Sequence, residues 1–266
     1  MTKKLFLRDM GRVFSASLVV TVMSLGNAAC GGNDDNPVNN PEPTDMVRLV
    51  STYDEITTGL ITATIQVNNV WENGRLIRQT QTTAAMGVCS VVDQILTYDE
   101  RGLCTEMYSA DGSFHHYYTY TSDGCIAKEE HIIDDHTADV TEVLAYDADG
   151  NITEIRYTVP PSSVTRNYHL TWQDGDLVKV VVDYVTEGKE SSTYTYAYDN
   201  YPSAYIGYPI ALGINNIPFL AIHCCKHNLK ETGVTPSYEN GRLVELVKDD
   251  GSGKTFFTYD DGTGQR

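Results

Sequence analysis

The sequence predicts an all-β protein, an antiparallel meander of repeated hairpins with about 14 to 16 strands, curled into a large curved sheet or a barrel-like structure. Three observations carry this prediction. Segments of alternating polarity recur along the chain, as in Gly59 to Trp71, where Ile61, Ala63, Ile65 and Val67 face one way and Thr62, Thr64, Gln66 and Asn68 the other. Many segments end on an aromatic residue followed by acidic or amide residues and a glycine, which is the chemistry of a tight reversal. The aromatic anchors Trp71, Tyr98, Tyr120, Tyr146, Trp172 and Tyr198 lie 27, 22, 26, 26 and 26 residues apart, the length of two strands and two turns.

Taken in order, residues 1–29 read as a signal peptide. Lys3, Lys4, Arg8 and Arg12 form a basic head, and Val13 to Leu25 is an apolar stretch too short for a comfortable membrane span. Ala28-Ala29-Cys30 then resembles the lipobox of bacterial lipoproteins, which implies that Cys30 is the lipid attachment site. Residues 30–44 are rich in Pro, Asn and Asp and lack apolar periodicity, so they read as a flexible acidic tether. Asp34-Asp35 in it resembles the export signal of surface lipoproteins in the Bacteroidetes. The expected address is the outer membrane, at the cell surface or otherwise on the periplasmic face.

Residues 45–266 form a single all-β repeat domain. The repeat is read in Trp71-Glu72-Asn73-Gly74, Tyr98-Asp99 to Gly102, Tyr120 to Gly124, Tyr146-Asp147 to Gly150, Trp172 to Gly175 and Tyr238 to Gly241, with a truncated copy at Tyr259 to Gly262. Asp suits these turns because its carboxylate accepts from backbone N–H groups two residues on, and Gly because the last turn position favours positive φ. An irregular insertion over 201–236 interrupts the pattern, with a short helix expected between Ile217 and Asn228. Strands such as Glu154-Ile155-Arg156-Tyr157 mix charged and apolar residues, which argues against a lipid-facing barrel.

The YD-plus-glycine units resemble the YD or RHS repeat of large secreted shell proteins. Joined to the lipobox and tether, the chain from about Val47 to Gly262 looks similar to an uncharacterised family of Bacteroidetes lipoproteins with a porin-like β fold. That resemblance implies an architecture and supplies no catalytic residues.

The chain carries a net charge of −17, and loss of the basic signal segment takes the mature protein to about −20. This disfavours nucleic acid as a partner and favours cationic ligands. The membrane is contacted through the N-terminal lipid. Five cysteines remain besides Cys30, and no disulfide framework is expected: Cys104 is placed opposite Thr119 and Cys125 opposite Tyr120. His223, Cys224, Cys225 and His227 are weak metal candidates, because adjacent cysteines rarely reach one tetrahedral ion together and no second ligand pair stands at a loop-closing distance. Asp147, Asp149, Asn151 and Glu154, and Asp174 with Asp176, could offer oxygens to calcium but have the composition of acidic hairpin turns. His115 and His116 are expected on opposite faces of a strand. No motif places a nucleophile beside a base, so no catalytic residue and no cofactor is assigned, and the chain reads as a binding or structural protein rather than an enzyme. Its 18 tyrosines and two tryptophans make a glycan the alternative partner, provided exposed rings line a concave face; an envelope protein is another, and a metal-dependent enzyme is the second alternative.

Overall fold

The computed structural model describes residues 48–160, 164–186, 188–205, 208–214, 216–223 and 225–260. The expected signal peptide, Cys30 and the tether lie outside the described residues.

Two turn chemistries produce the hairpins. In the first, Asn73-Gly74, Asp174-Gly175 and Asn240-Gly241 take positive φ at both positions, the two-residue reversal whose twist matches antiparallel strands. They join β2 (Ile61–Glu72) to β3 (Arg75–Ala85), β10 (Val164–Gln173) to β11 (Asp176–Tyr184), and β15 (Val234–Glu239) to β16 (Arg242–Lys248). In the second, the carboxylate of Asp99 accepts from the backbone N–H groups of Arg101 at 3.0 Å and Leu103 at 2.9 Å. Gly102 then closes the turn at φ +85°. Asp147 repeats this arrangement toward Asp149 and Asn151. These turns join β4 (Val88–Tyr98) to β5 (Cys104–Ser109), and β8 (His136–Tyr146) to β9 (Ile152–Val159). Between β6 (Phe114–Tyr120) and β7 (Ile126–Ile133), Thr121 takes the place of Asp, its hydroxyl accepting from Cys125 N–H at 3.1 Å.

With β1 (Arg48–Thr58), β12 (Ser192–Thr195) and β17 (Gly253–Asp260), these strands make one 15-stranded antiparallel sheet. Successive strands from β1 to β12 are neighbours, and β17, β16 and β15 continue the sheet on the other side of β1. The sheet is therefore open, with β12 and β15 at its edges. A separate pair is formed by β13 (Tyr198–Pro202) and β14 (His227–Leu229), which brings the described strands to 17.

The recurring aromatic has a structural task. Trp71 Nε1–H donates to the Leu49 carbonyl at 3.0 Å, Tyr98 O–H to Leu76 at 2.7 Å, Tyr120 O–H to Cys104 at 2.6 Å and Trp172 Nε1–H to Ile152 at 2.7 Å. Tyr146 donates to Ile126, Tyr198 to Leu177 at 2.9 Å and Tyr259 to Leu243 at 2.8 Å. Except at Leu49, each acceptor stands two residues after the turn glycine of the preceding unit, and each is buried in the main core. The strand pairing slips at Val70/Trp71, Thr97/Tyr98, Thr119/Tyr120, Ala145/Tyr146 and Thr171/Trp172, so a bulge accompanies each of these rings. Bulges sharpen twist and bend a sheet. The observed register differs from the expected one: Tyr120 lies opposite Ile126 and not Cys125, because the turn takes in residues 121–125.

The irregular insertion occupies the space between the two sheet edges and is core. It holds a 3-10 turn, Ile210–Gly213, and the expected short helix, α1 (Ile217–His223). The regular sheet resumes earlier than expected, at Val234, so Thr235 and Pro236 belong to β15. Tyr208, Ala211, Ile214, Leu220 and Ala221 are at most 1% exposed. This segment reaches both halves of the sheet. Asn69 on β2 donates to Tyr208 Oη, Tyr208 packs edge-on against Trp71 with ring centroids 4.9 Å apart, and on the far side Leu177 N–H on β11 donates to Cys225 Sγ. A curled sheet thus closes over its own insertion, which supplies the apolar surface that each hairpin's inner face must bury.

Cys89, Cys104 and Cys225 are free thiols. Cys125 is disulfide-bonded, which corrects the expectation of no disulfide. Cross-strand register spoke only to bridges between adjacent strands.

Candidate functional site

The buried face of the sheet is apolar near the anchors and polar farther along the strands. Directly opposed partners build a row of polar side chains across six strands: Tyr118, Glu129, Thr141, Tyr157, Arg166 and Tyr184. At its buried end His116 Nδ1 lies 2.7 Å from Glu129 Oε1, and the His116 ring stacks on His131 at 4.1 Å. Burial raises the Glu129 carboxyl well above the usual carboxylate range and drives His116 well below its own. Both shifts favour the uncharged forms of the two partners. His115 points to the other face, toward Glu106, in agreement with the expected alternation.

At its other end the row opens into a groove of about 270 Å³ at the β12 edge. Tyr168, Tyr184, Tyr194 and Tyr196 line it with Arg166, Val182 and, from the insertion, Asn216 and Ile217. Tyr194 is 47% exposed. The Arg166 guanidinium lies 5.6 Å from the Tyr184 ring centroid, a cation–π distance. The Tyr184 hydroxyl donates to Ser192 Oγ at 3.3 Å. Burial raises the phenols of Tyr168 and Tyr196, which keeps their hydroxyls protonated as donors. The groove therefore offers flat apolar rings beside a fixed cation and several hydroxyls. The tyrosine alternation over 192–198 is legible in the sequence, but the contribution of Arg166 and Asn216 depends on which strands and loops become neighbours.

The three weak metal candidates that are described each engage a different neighbour. His223 is buried against Tyr205, their rings 4.1 Å apart, and burial holds its pKa well below normal. Cys225 accepts from Leu177 N–H, donates to Tyr198 Oη at 3.2 Å, and has its thiol pushed up to about 12 by burial. His227 pairs with Asp176, Nδ1 to Oδ2 at 2.8 Å. Cys224 lies outside the described residues. Among the described residues no group of three or more His, Cys, Asp or Glu is placed to share a metal ion. Asp147 spends its oxygens on its own turn and Asp176 on His227.

No protein-family model matches the sequence, and no curated protein matches it. Among solved structures, a porin-like protein from Bacteroides uniformis is similar at a TM-score of 0.51 and 11% identity, over 80% of this chain and 96% of that one. At that identity the likeness shows the fold alone, and it agrees with the expected porin-like β architecture. The Photorhabdus luminescens Tc holotoxin pore matches at a TM-score of 0.24 and 10% identity over 70% of this chain and 14% of that chain, and a TcdB2–TccC3 structure at 0.25 and 12% over 69% and 12%; at these scores neither carries an argument.

Proposed function

We propose that this chain is a cell-envelope protein, held at the outer membrane through a lipid on Cys30, and that it binds glycans without chemically changing them. The tyrosine groove at the β12 edge carries this reading. Sugar rings present apolar C–H faces edged by hydroxyls, and four tyrosines with Arg166 and Asn216 offer stacking surfaces and hydrogen-bonding groups to match. The sheet behind the groove gives it a rigid wall, and half-exposed Tyr194 leaves it accessible.

A glycan-array screen of the protein tests this reading. A saturable hit that is lost in Tyr194→Ala and Tyr168→Ala supports it, and a screen with no hit refutes it. The address is tested separately: Cys30→Ala protein is expected in the soluble fraction, and persistence in membranes refutes the anchor.

A further inference from the structure

A second cavity, of about 320 Å³, lies away from the tyrosine groove, between the β1–β17–β16 part of the sheet and the insertion. Its walls are largely apolar, with Ile222 and Leu229 from the insertion facing Ile56, Leu246 and Phe257 from the sheet. Asp54 lines the cavity from β1. It is 3% exposed, and its Oδ1 makes no hydrogen bond. Its neighbours are the Thr255 hydroxyl, directly opposite in the strand register, and the charge of Lys248.

A buried carboxylate with an unused oxygen strongly favours a cation or a proton beside it. Three further features specify the kind of cation. Tyr205 and Phe257 present aromatic rings in the same cavity, their centroids 6.0 Å apart, and aromatic rings attract organic ammonium ions. Glu231 adds a second carboxylate, close enough, as Asp54 is, to help hold the Tyr205 phenol protonated. Buried His223, stacked behind Tyr205, is held neutral and adds no competing charge. Two lysines, Lys248 and Lys254, also line the cavity, and Lys248 is the one whose charge acts on Asp54. The Lys248 stem lies over Gly253, which has no Cβ, and Lys248 as a residue is exposed.

We propose that this cavity binds a small organic ammonium ion with an apolar body, its head on Asp54 beside Tyr205 and its body against Ile222, Leu229 and Leu246. A bare metal ion suits the site less well, because one carboxylate among apolar walls leaves most of its coordination unmet.

Phenethylammonium chloride and its neutral isostere 2-phenylethanol serve as probes, measured by titration calorimetry on the full chain in detergent. The expected result is saturable binding of the ammonium, at least tenfold weaker binding of the alcohol, and at least tenfold weaker ammonium binding by Asp54→Asn. Lys248→Met removes the charge of Lys248 without touching Asp54 and is expected to tighten ammonium binding, which keeps the test open if Asp54→Asn does not fold. No ammonium binding, equal binding of the alcohol, unchanged binding in a folded Asp54→Asn protein, or weaker binding in Lys248→Met would each overturn the proposal. Tyr194→Ala is expected to leave this binding unchanged, so failure here is separate from failure at the tyrosine groove.

Discussion

Replacing Tyr98 by Phe removes a single oxygen and tests whether the repeated aromatic works through its polar tip as well as its ring. The Tyr98 hydroxyl donates to the Leu76 carbonyl at 2.7 Å, and burial raises its phenol pKa, so it is a protonated donor at any ordinary pH. Phe keeps the ring's packing and leaves a carbonyl at a fully buried residue short of one partner. Such a deletion costs about 1–3 kcal/mol. In a domain of this size each kcal/mol lowers the melting temperature by about 2–4 °C, which sets the expected drop at about 2–12 °C. Tyr117→Phe is the control: Tyr117 lies one residue from Tyr118 on the opposite face, is 42% exposed, and is expected to change stability by less than about 0.5 kcal/mol. Calorimetry of the wild type and the two variants decides the matter. If Tyr98→Phe melts within a degree of Tyr117→Phe, the aromatic-to-carbonyl bond is not what the repeat preserves, and the ring alone explains it.

Further outcomes follow from other residues. Gly102→Ala forces a side chain into φ +85° and is expected to destabilise by about 1–2 kcal/mol, read by urea denaturation. Burial raises the Asp54 pKa from 3.8 to about 6, so its contribution is fully present below pH 3.8 and is lost as pH rises through 6. Relative to Asp54→Asn, the wild type is therefore expected to lose up to about 3 kcal/mol between pH 4 and 7, and a pH-independent difference would contradict that environment. Cys225→Ala is expected to cost about 1–3 kcal/mol by thermal melting, because the thiol both accepts from Leu177 and donates to Tyr198 in the core. A loss confined to metal-supplemented buffer would instead point to a metal role.

The sequence made the hairpins legible because their information is local. An Asp and a Gly three apart, after an alternating run ending in Tyr, contain the turn, the strand and the face together, as Asp99 and Gly102 do. Register was legible only up to the bulges. Cys125 reads as the partner of Tyr120 only if the turn is one residue shorter; Thr121 N–H donates to the Cys125 carbonyl, so Cys125 belongs to the turn and Tyr120 pairs with Ile126, and beyond that pair the extra residue at Thr119/Tyr120 shifts the register again. The insertion was recognised by its loss of alternation, but composition does not say whether an irregular segment lies outside a sheet or within it. Tyr208 and Leu220 look no different in sequence from residues of an exposed loop, and they are fully buried. The same limit applies to Asp54. In STYDEIT it reads as one more polar strand residue, and its role depends on Tyr205 and Ile222 arriving from the insertion.

The pairing of β1 with β17 imposes an order on how this chain can fold. From β1 to β12 each strand finds its partner in the next segment of chain, so the sheet can zip forward as residues become available. The other side of β1 has no such partner until the end, because Leu49 sits opposite Tyr259 and Ile56 opposite Gly253. A chain emerging from its N-terminus exposes the free backbone of β1 until β17 has been made, and unpaired strand edges attract other chains. The last strand to arrive is thus the one that ends the period of greatest risk. A chain truncated before Gly253 is left with a permanently sticky first strand, however well its other hairpins have formed.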